Sequence, residues 1–575
     1  MLKDEEFLFF QKPGRYIGKE WNSVYKNPEG KKRFLIVYPD IYEVGMSSLA
    51  IILLYHLINE RDDSLCERLF SPGLDLEEYL LKNDIPLFSI ETRTAVKNFD
   101  IIGFSLQSQL NFTNVLDILN LSQINIFSKE RKGFPIIIAG GPVALNPAPF
   151  SPFIDGFVIG EGEEVVEEIL DNFKLDRDEY LNKLNEIEGV YIPEFGKKIV
   201  NKRVIWDFEN SFFPEKLLVP YIQTIHDRAV VEIFRGCDRG CRFCISGMEK
   251  RPRRERSVDK ILEISEKVLK NTGYEEISLL SLSTSDYKRI DELLIKLKER
   301  LKDKKITISL PSLRIDNFSL KLLDLIDTGR KVTLTFAPEG GTEKIRNIMN
   351  KPIKDDEILN VIKEANFKGY KKIKLYFLIG VPYEDYDDIY GIAELINKIK
   401  DENKLIKLSI SINPFIPKPF TPFQWEKFIS KDEFIKKIKI IKEGIKNVNL
   451  SYRGWEESFI EAIISRGDEQ ISELIYEAYL EGEKFSNWKE NFHFETWEKI
   501  LKEKKFKSVD KILNGFLTDE ELPWDFINIG IDKKFLLEER EKSKNCEITK
   551  PCFMDFEKCS NCGVCFNLND SKNRI

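Results

Sequence analysis

The sequence predicts an α/β protein of several domains: an N-terminal doubly wound parallel sheet, a central partial barrel of six βα units, a helical region and a cysteine-rich C-terminal tail. Three observations predict it. Short continuous apolar runs alternate with helix-period segments from Arg33 to about Lys174, as in a parallel sheet covered on both faces. The same alternation resumes at Val230 and repeats six times. The cysteines are clustered rather than spread. A chain of 575 residues is too long for one core, so about three domains are expected.

In the first segment the strands fall at 34–38, 100–105, 135–141 and 155–160, with helical periodicity over 43–58 and from Glu163. Ligands on such sheets bind at the carboxyl ends of the strands. The loops there carry Asp40, Gly45, Ser105, Gly140, Gly141 and the run Gly160-Glu161-Gly162-Glu163. Residues 1–188 form this domain, and 189–220 read as a linker with a short hairpin. The barrel spans 221–426, with strands near 230–234, 277–282, 306–310, 332–337, 373–379 and 408–413. Its active site is expected on the loops after the strands. Residues 427–520 read as amphipathic helices whose Trp and Phe residues are core, and 521–575 as the metal-binding tail.

Composition narrows the function classes. Charged residues are 32% and of both signs, and the net charge is −8. That argues against broad nucleic-acid wrapping and leaves room for a local basic patch. Met1 to Gln11 lacks the apolar core of a signal peptide, and no stretch approaches the roughly 18 apolar residues that span a bilayer. A cytoplasmic protein with no membrane partner is expected. With three histidines, a histidine-rich metal site is excluded. The nine cysteines divide into a loop of three, five between Cys546 and Cys565, and Cys66, an ordinary buried thiol. Clusters of this kind read as metal ligands rather than disulfides.

The first strand of the barrel runs into Cys237, Cys241 and Cys244, a C-x3-C-x2-C loop. Such a loop brings three thiolates to one face of a 4Fe-4S cluster and leaves the fourth iron open, as a catalytic site requires. Structural zinc is the alternative, but zinc usually closes with a fourth ligand, and none is near in sequence. In the tail, Cys559, Cys562 and Cys565 form C-x2-C-x2-C, with Cys552 seven positions earlier and Cys546 spare. Four thiolates there suit zinc or a second cluster, in a structural role or as an electron relay. Lys250-Arg251-Pro252-Arg253-Arg254-Glu255-Arg256 is a basic run. It reads either as a phosphate contact, RNA included, or as a solvated loop paired with acids.

The cysteine loop, with Phe243 before its third cysteine, resembles the signature of the radical S-adenosylmethionine (radical SAM) superfamily. The resemblance implies that SAM chelates the open iron and is cleaved reductively to a 5′-deoxyadenosyl radical. A flavodoxin or ferredoxin supplies the electron. It places the SAM amino group at Ser283, Ser285 and Asp286, and the ribose and carboxylate at Ser312 and Arg314. Glu339 faces SAM or substrate, and Gly380-Val381 forms an adenine-side loop.

The first domain resembles a cobalamin-binding domain, whose D-x-H-x-x-G motif appears as Asp40-Ile41-Tyr42-Glu43-Val44-Gly45, with tyrosine in the cobalt ligand's place. A phenol is a poorer cobalt ligand than imidazole. The domain therefore either holds cobalamin without a lower ligand from this loop or keeps the sheet without the cofactor. The whole chain resembles bacterial proteins that fuse these two domains. Shared segments include Ser281-Leu282-Ser283, Ser465-Arg466-Gly467-Asp468 and Leu522-Pro523-Trp524. The expected function is thus a radical SAM enzyme, with a cobalamin-dependent methyltransferase as one version. A methylthiotransferase acting on RNA or a ribosomal protein is a second reading. Those enzymes carry a second cluster on three N-terminal cysteines, where this chain has only Cys66. A non-catalytic, metal-stabilised redox or RNA-binding factor is the third.

Overall fold

The computed structural model describes residues 2–302, 304–311, 313–315, 333–552 and 559–568. The first sheet has the order β2-β1-β3-β4-β5-β6. Its strands are β1 (Lys32–Tyr38), β2 (Ser64–Phe70), β3 (Ile101–Ser105), β4 (Ile136–Gly140), β5 (Gly156–Val158) and β6 (Val190–Tyr191). All pairs are parallel except β5 with β6. Alternate β1 side chains serve two cores: Leu35 and Val37 on one face, Phe34, Ile36 and Tyr38 on the other. Helices cover both faces, and that is why the strand reads as one apolar run.

The region expected to be a hairpin is not one. Val190–Tyr191 closes the edge of the first sheet. β7 (Val200–Asn201) pairs in parallel with β17 (Ile527–Asn528), far along the chain. Each short strand is taken by a different edge, so the two do not pair with each other.

Among the described residues the barrel strands form two parallel sheets. β8 (Ala229–Glu232), β11 (Glu276–Leu280) and β12 (Thr307–Ser309) form one, in the order β12-β11-β8. β13 (Leu334–Glu339), β14 (Lys372–Ile379), β15 (Lys407–Pro414) and β16 (Asn449–Tyr452) form the other. A two-stranded antiparallel ribbon, β9 (Phe234–Arg235) with β10 (Arg254–Glu255), lies beside the cysteine loop. β16 lies in the region read as helical. Four residues between two helices carry too little periodicity to stand out, and they become a strand by adding to the edge of β15.

Along β14 and β15 buried residues alternate with partly exposed ones. The apolar side packs on the covering helices, while Lys374, Tyr376, Ser409, Ser411 and Asn413 lie on the opposite side. The helices Val258–Thr272 and Ile290–Leu301 pack on β8, β11 and β12 as a separate core. Helices Trp455–Arg466 and Ile471–Leu480 belong to the largest core, which unites the β13–β15 half of the barrel with one face of the first sheet. Among the described residues no helix is long and apolar enough to cross a membrane.

Candidate functional site

The loop from Gly236 to Cys244 sits between the end of the first barrel strand and the helix Ile245–Glu249. Gly236 has φ 95, and a Cβ there would collide with the Pro252 and Lys250 carbonyls, so the loop crosses that backbone only as glycine. Cys244 caps the helix, its Sγ accepting from Gly247 N at 3.3 Å. Its own backbone N donates to Cys241 O at 3.2 Å and closes the turn between the two cysteines.

Arg242, fully buried, fastens this turn. It donates to the Asn347 and Ile348 carbonyls at 3.1 and 3.0 Å, to Glu539 at 3.1 Å and to Glu547 O at 2.8 Å. Burial, and then the neighbouring cysteines, push the Cys237 thiol up to about 11 and the Cys244 thiol to about 12. These thiols stay protonated at neutral pH until a metal displaces the protons.

The SAM residues expected from the sequence gather around this loop. Arg239 Nε donates to Asp286 at 2.9 Å, and Ser283 Oγ donates to the same carboxylate at 2.6 Å. Burial raises the Asp286 pKa, but Arg239 outweighs it and holds the carboxyl below its ordinary value. Ser285 Oγ accepts from Arg314 N at 3.2 Å, and Arg314 Nη1 lies 3.8 Å from Cys241 Sγ. Ser312 lies outside the described residues. Glu339 ends β13 and pairs with Lys351 at 3.1 Å. Phe243 is packed against the small core of Val381, Phe415 and Phe423.

A cavity of about 440 Å³ lies between the barrel and the first sheet and meets the loop at Gly236. One wall is the carboxyl end of that sheet, with Ser105, Gly140 and Gly141. The other is the barrel, with Glu232, Arg235, Gly236, Ser246 and Lys250, and Leu49, Leu53 and Val166 make an apolar side. Asp40 and Gly45 do not line it. Asp40 is buried and accepts from the Trp488 indole at 3.0 Å and from Ile41 N at 2.8 Å. A Cβ on Gly45 would collide with the Phe70 ring. Tyr42, at the position of a cobalt-ligating histidine, is buried and donates to Glu20 at 3.0 Å.

The two walls are held together by ion pairs that sequence reasoning missed. Glu161, from the Gly160–Glu163 run, takes both Arg254 nitrogens at 2.8 Å and Ile205 N at 2.7 Å. Glu163 takes Arg235 at 2.8 Å. Burial alone would raise the Glu161 pKa, but Arg254 and Arg235 bring it down to about 2. Gly160 is at φ 105 and bridges to Arg203, whose backbone a Cβ would strike. Gly160→Ala is therefore expected to lower stability by about 1–3 kcal/mol from backbone strain alone, read as a lower thermal midpoint.

The basic run proves neither solvated nor free. Arg251, Arg253, Arg254 and Arg256 are 5, 5, 8 and 2% exposed. Arg253 pairs with Asp238 at 3.1 Å, Arg254 with Glu161, and Arg256 donates to Glu209 O at 3.0 Å. These arginines join loop, barrel and first domain, and a phosphate has no access to them.

The tail packs onto the cysteine loop. Cys552 N donates to Asp238 O at 3.2 Å, next to Cys237. Asn350 joins Gly240 O at 3.0 Å to Thr549 O at 3.1 Å. Cys562 is buried, and Cys565 feels Cys562, Cys552 and Cys559 after its own burial. Cys546 packs apart, against the Phe243 core. Cys66 is fully buried on β2. Among the described residues no three Cys, His, Asp or Glu side chains converge on a single-ion site.

A profile described as radical SAM proteins, N-terminal, matches residues 50–193, and one described as the radical SAM superfamily matches residues 231–396. An uncharacterized protein of Methanocaldococcus jannaschii is 32% identical over 461 residues, covering 77% of this chain and 90% of that one. A tRNA-2-methylthio-N(6)-dimethylallyladenosine synthase of Pelagibacter ubique is 30% identical over 344 residues, 56% of this chain and 68% of that one. The structure of the radical S-adenosylmethionine methyltransferase TsrM from Kitasatospora setae, with cobalamin and a [4Fe-4S] cluster bound, overlays with a TM-score of 0.51 at 12% identity. The overlay covers 69% of this chain and 74% of TsrM. That overlay establishes likeness of fold.

Proposed function

The chain belongs to the radical SAM superfamily, and from that premise we propose that its two-walled cavity is the reaction chamber of an enzyme that cleaves SAM reductively and transfers a methyl group with cobalamin. One observation carries the reading: the carboxyl end of the first sheet and the barrel wall enclose one cavity, and that cavity reaches the cysteine loop at Gly236, the residue before Cys237. The donor set fits a 4Fe-4S cluster, being three soft thiols on one loop with a guanidinium beside Cys241. When bound, the cluster supplies the electron that splits SAM into methionine and a 5′-deoxyadenosyl radical.

The chain's own residues do the rest. Cys237, Cys241 and Cys244 hold the cluster. Ser283, Ser285 and Asp286 receive the SAM amino group, and Asp286, already charged by Arg239, is set to accept an ammonium. Arg314 reaches the SAM carboxylate from beside Cys241, and Glu339 borders SAM or substrate. Ser105, Gly140 and Gly141 are the cavity-side contacts for cobalamin. Tyr42 is turned away to Glu20, so this loop gives cobalt no lower ligand. Asp40 and Gly45 support the loop rather than the cavity. Cys552, Cys559, Cys562 and Cys565 hold a second metal centre. A flavodoxin- or ferredoxin-type protein is the electron donor.

Methylthio transfer is the second reading, favoured by the Pelagibacter relative. Against it, Cys66 is the first domain's one cysteine and is sealed in the core, so a second cluster in that domain has no ligands.

Oxygen-free incubation of the full chain with SAM and dithionite is expected to release 5′-deoxyadenosine, and failure to do so removes the reading. Corrinoid retained on purification, at about one per chain, supports the methyl-transfer version. Its absence together with sulfur insertion into RNA or protein supports the other.

A further inference from the structure

The inner face of the barrel carries charge that SAM binding does not use. Lys374 and Tyr376 on β14 stand level with Ser409 and Ser411 on β15, and these with Asn449 and Ser451 on β16. All of them are partly or fully exposed. A closed barrel packs branched apolar side chains inward; this face is polar and open. Lys374 has no carboxylate partner among the described residues, and its Nζ lies over the Tyr376 ring at 4.7 Å. The register, continued one step past Ile412 and Tyr452, sets Arg453 level with Asn413, and Arg453 N donates to Ile412 O at 3.1 Å to hold it there. By strand alternation Arg453 shares the side of Ser451 and Asn413. It follows the carboxyl end of β16 as Lys418 follows that of β15. Both cations meet Glu461 of the helix Trp455–Arg466, Lys418 Nζ at 2.6 Å and Arg453 Nη1 at 2.5 Å. One cation suffices to neutralise one carboxylate, so the trio keeps a positive charge in excess. The Glu461 side chain is 13% exposed and that of Arg453 37%, so the excess sits on the open member. Glu457 turns its carboxylate onto Gly454 and makes no ion pair with Arg453 among the described residues.

We propose that Arg453 and Lys418, held by Glu461 at the carboxyl mouth of the barrel, bind an anionic group of the substrate, a phosphate or a carboxylate. The guanidinium fork matches the oxygen pair of either group, and the ammonium adds a point charge beside it. Glu461 fixes both cations while no anion is bound, so the site is formed before its ligand arrives and little ordering is left to cost affinity. The polar row behind it, from Asn413 and Ser411 to Lys374, offers hydrogen bonds and a second cation to the rest of the molecule. This inference rests on the reading of the strand ends as the reaction site, and it names what the substrate carries there.

The test uses the purified full chain, with inorganic phosphate and acetate as probes at fixed ionic strength. Affinity is read from the rise in thermal midpoint as each anion is titrated in. The wild type is expected to bind at least one of them. Preference for phosphate assigns a phosphate-bearing substrate, preference for acetate a carboxylate-bearing one, and binding of neither overturns the proposal. Arg453→Gln is expected to weaken the preferred anion by about tenfold or more, the loss that goes with a hydrogen bond to a charged group. Unchanged affinity places the anion elsewhere and overturns the site. Glu461→Gln separates binding from packing. It removes the carboxylate that competes for both cations, so anion affinity is expected to rise while stability falls. A fall in stability with affinity unchanged or lower marks a purely structural ion pair and overturns the proposal. Should Glu461→Gln not fold, Arg453→Gln decides alone, because Lys418 still neutralises Glu461 in that variant. SAM cleavage by the wild type is measured in parallel. Absence of 5′-deoxyadenosine removes the SAM reading, whereas cleavage without anion binding removes this inference alone.

Discussion

Cys241→Ala is expected to abolish release of 5′-deoxyadenosine, by more than about a hundredfold, beyond the loss typical of outer-shell changes at metal sites. On the proposed assignment three cysteines would serve one four-iron cluster, so removing one would leave two irons without protein ligands. Cys241 also sits 3.8 Å from Arg314 Nη1, so the same change loosens the guanidinium assigned to the SAM carboxylate. Cys66→Ala is the matched control. It removes a buried thiol from β2, far from the loop in sequence and outside the cavity lining, and SAM cleavage is expected to persist. Measuring 5′-deoxyadenosine and iron on both variants separates ligand loss from loss of fold. Full activity in Cys241→Ala would refute the assignment of the loop.

The second large effect concerns the joint between the two halves. Arg254→Ala is expected to destabilise the protein by about 3–5 kcal/mol, the usual result of leaving one member of a buried ion pair alone. Glu161, 7% exposed with Arg254 in place, would then keep Ile205 N and the longer Arg235 contact at 3.5 Å as its partners. The pH dependence follows from the Glu161 carboxyl, which falls from 4.5 to about 2 in the folded chain. A depressed acid pKa contributes stability that is complete above about 4.5 and is lost as pH falls toward 2. At 1.36 kcal/mol per pKa unit this contribution is about 3 kcal/mol, the same order as the cost of breaking the pair. Glu161→Gln removes the titrating group. The gap in unfolding midpoint between wild type and Glu161→Gln should shrink as the buffer is taken from pH 6 to pH 3. A constant gap would show that the pair does not titrate in that window.

Much of the architecture was legible in the sequence because its cause is local. Leu35, Val37 and their neighbours form one apolar run since both faces of β1 are covered, and that run is visible without knowing what covers it. The spacing of Cys237, Cys241 and Cys244 is likewise a local statement about one turn. What stayed hidden depends on partners far along the chain. Asp40 meets Trp488, Glu161 meets Arg254, and Arg242 meets Glu539. Nothing in the residues near Asp40 says that an indole will take its carboxylate, so its place in a familiar motif pointed to the cavity. The basic run was legible in part: its pairing with acids was expected, and its burial was not. Four arginines look like a surface patch until the acids and carbonyls that surround them are brought in by the fold. Both β16 and the displaced hairpin are short strands that exist only because an edge is waiting for them.

The grip of Glu539, Glu547, Thr549 and Cys552 on the central loop has a consequence for how the protein matures. These groups lie about three hundred positions downstream of Cys244. At about 5–20 residues per second on a ribosome, they emerge roughly 15 to 60 seconds after the barrel's first turn does. Through that interval Arg242 lacks its carboxylate and one of its carbonyls, and the thiols lie on a loop without its tail contacts. Iron delivery during translation would meet an unfinished receptacle, so maturation factors should engage the released chain rather than the nascent one.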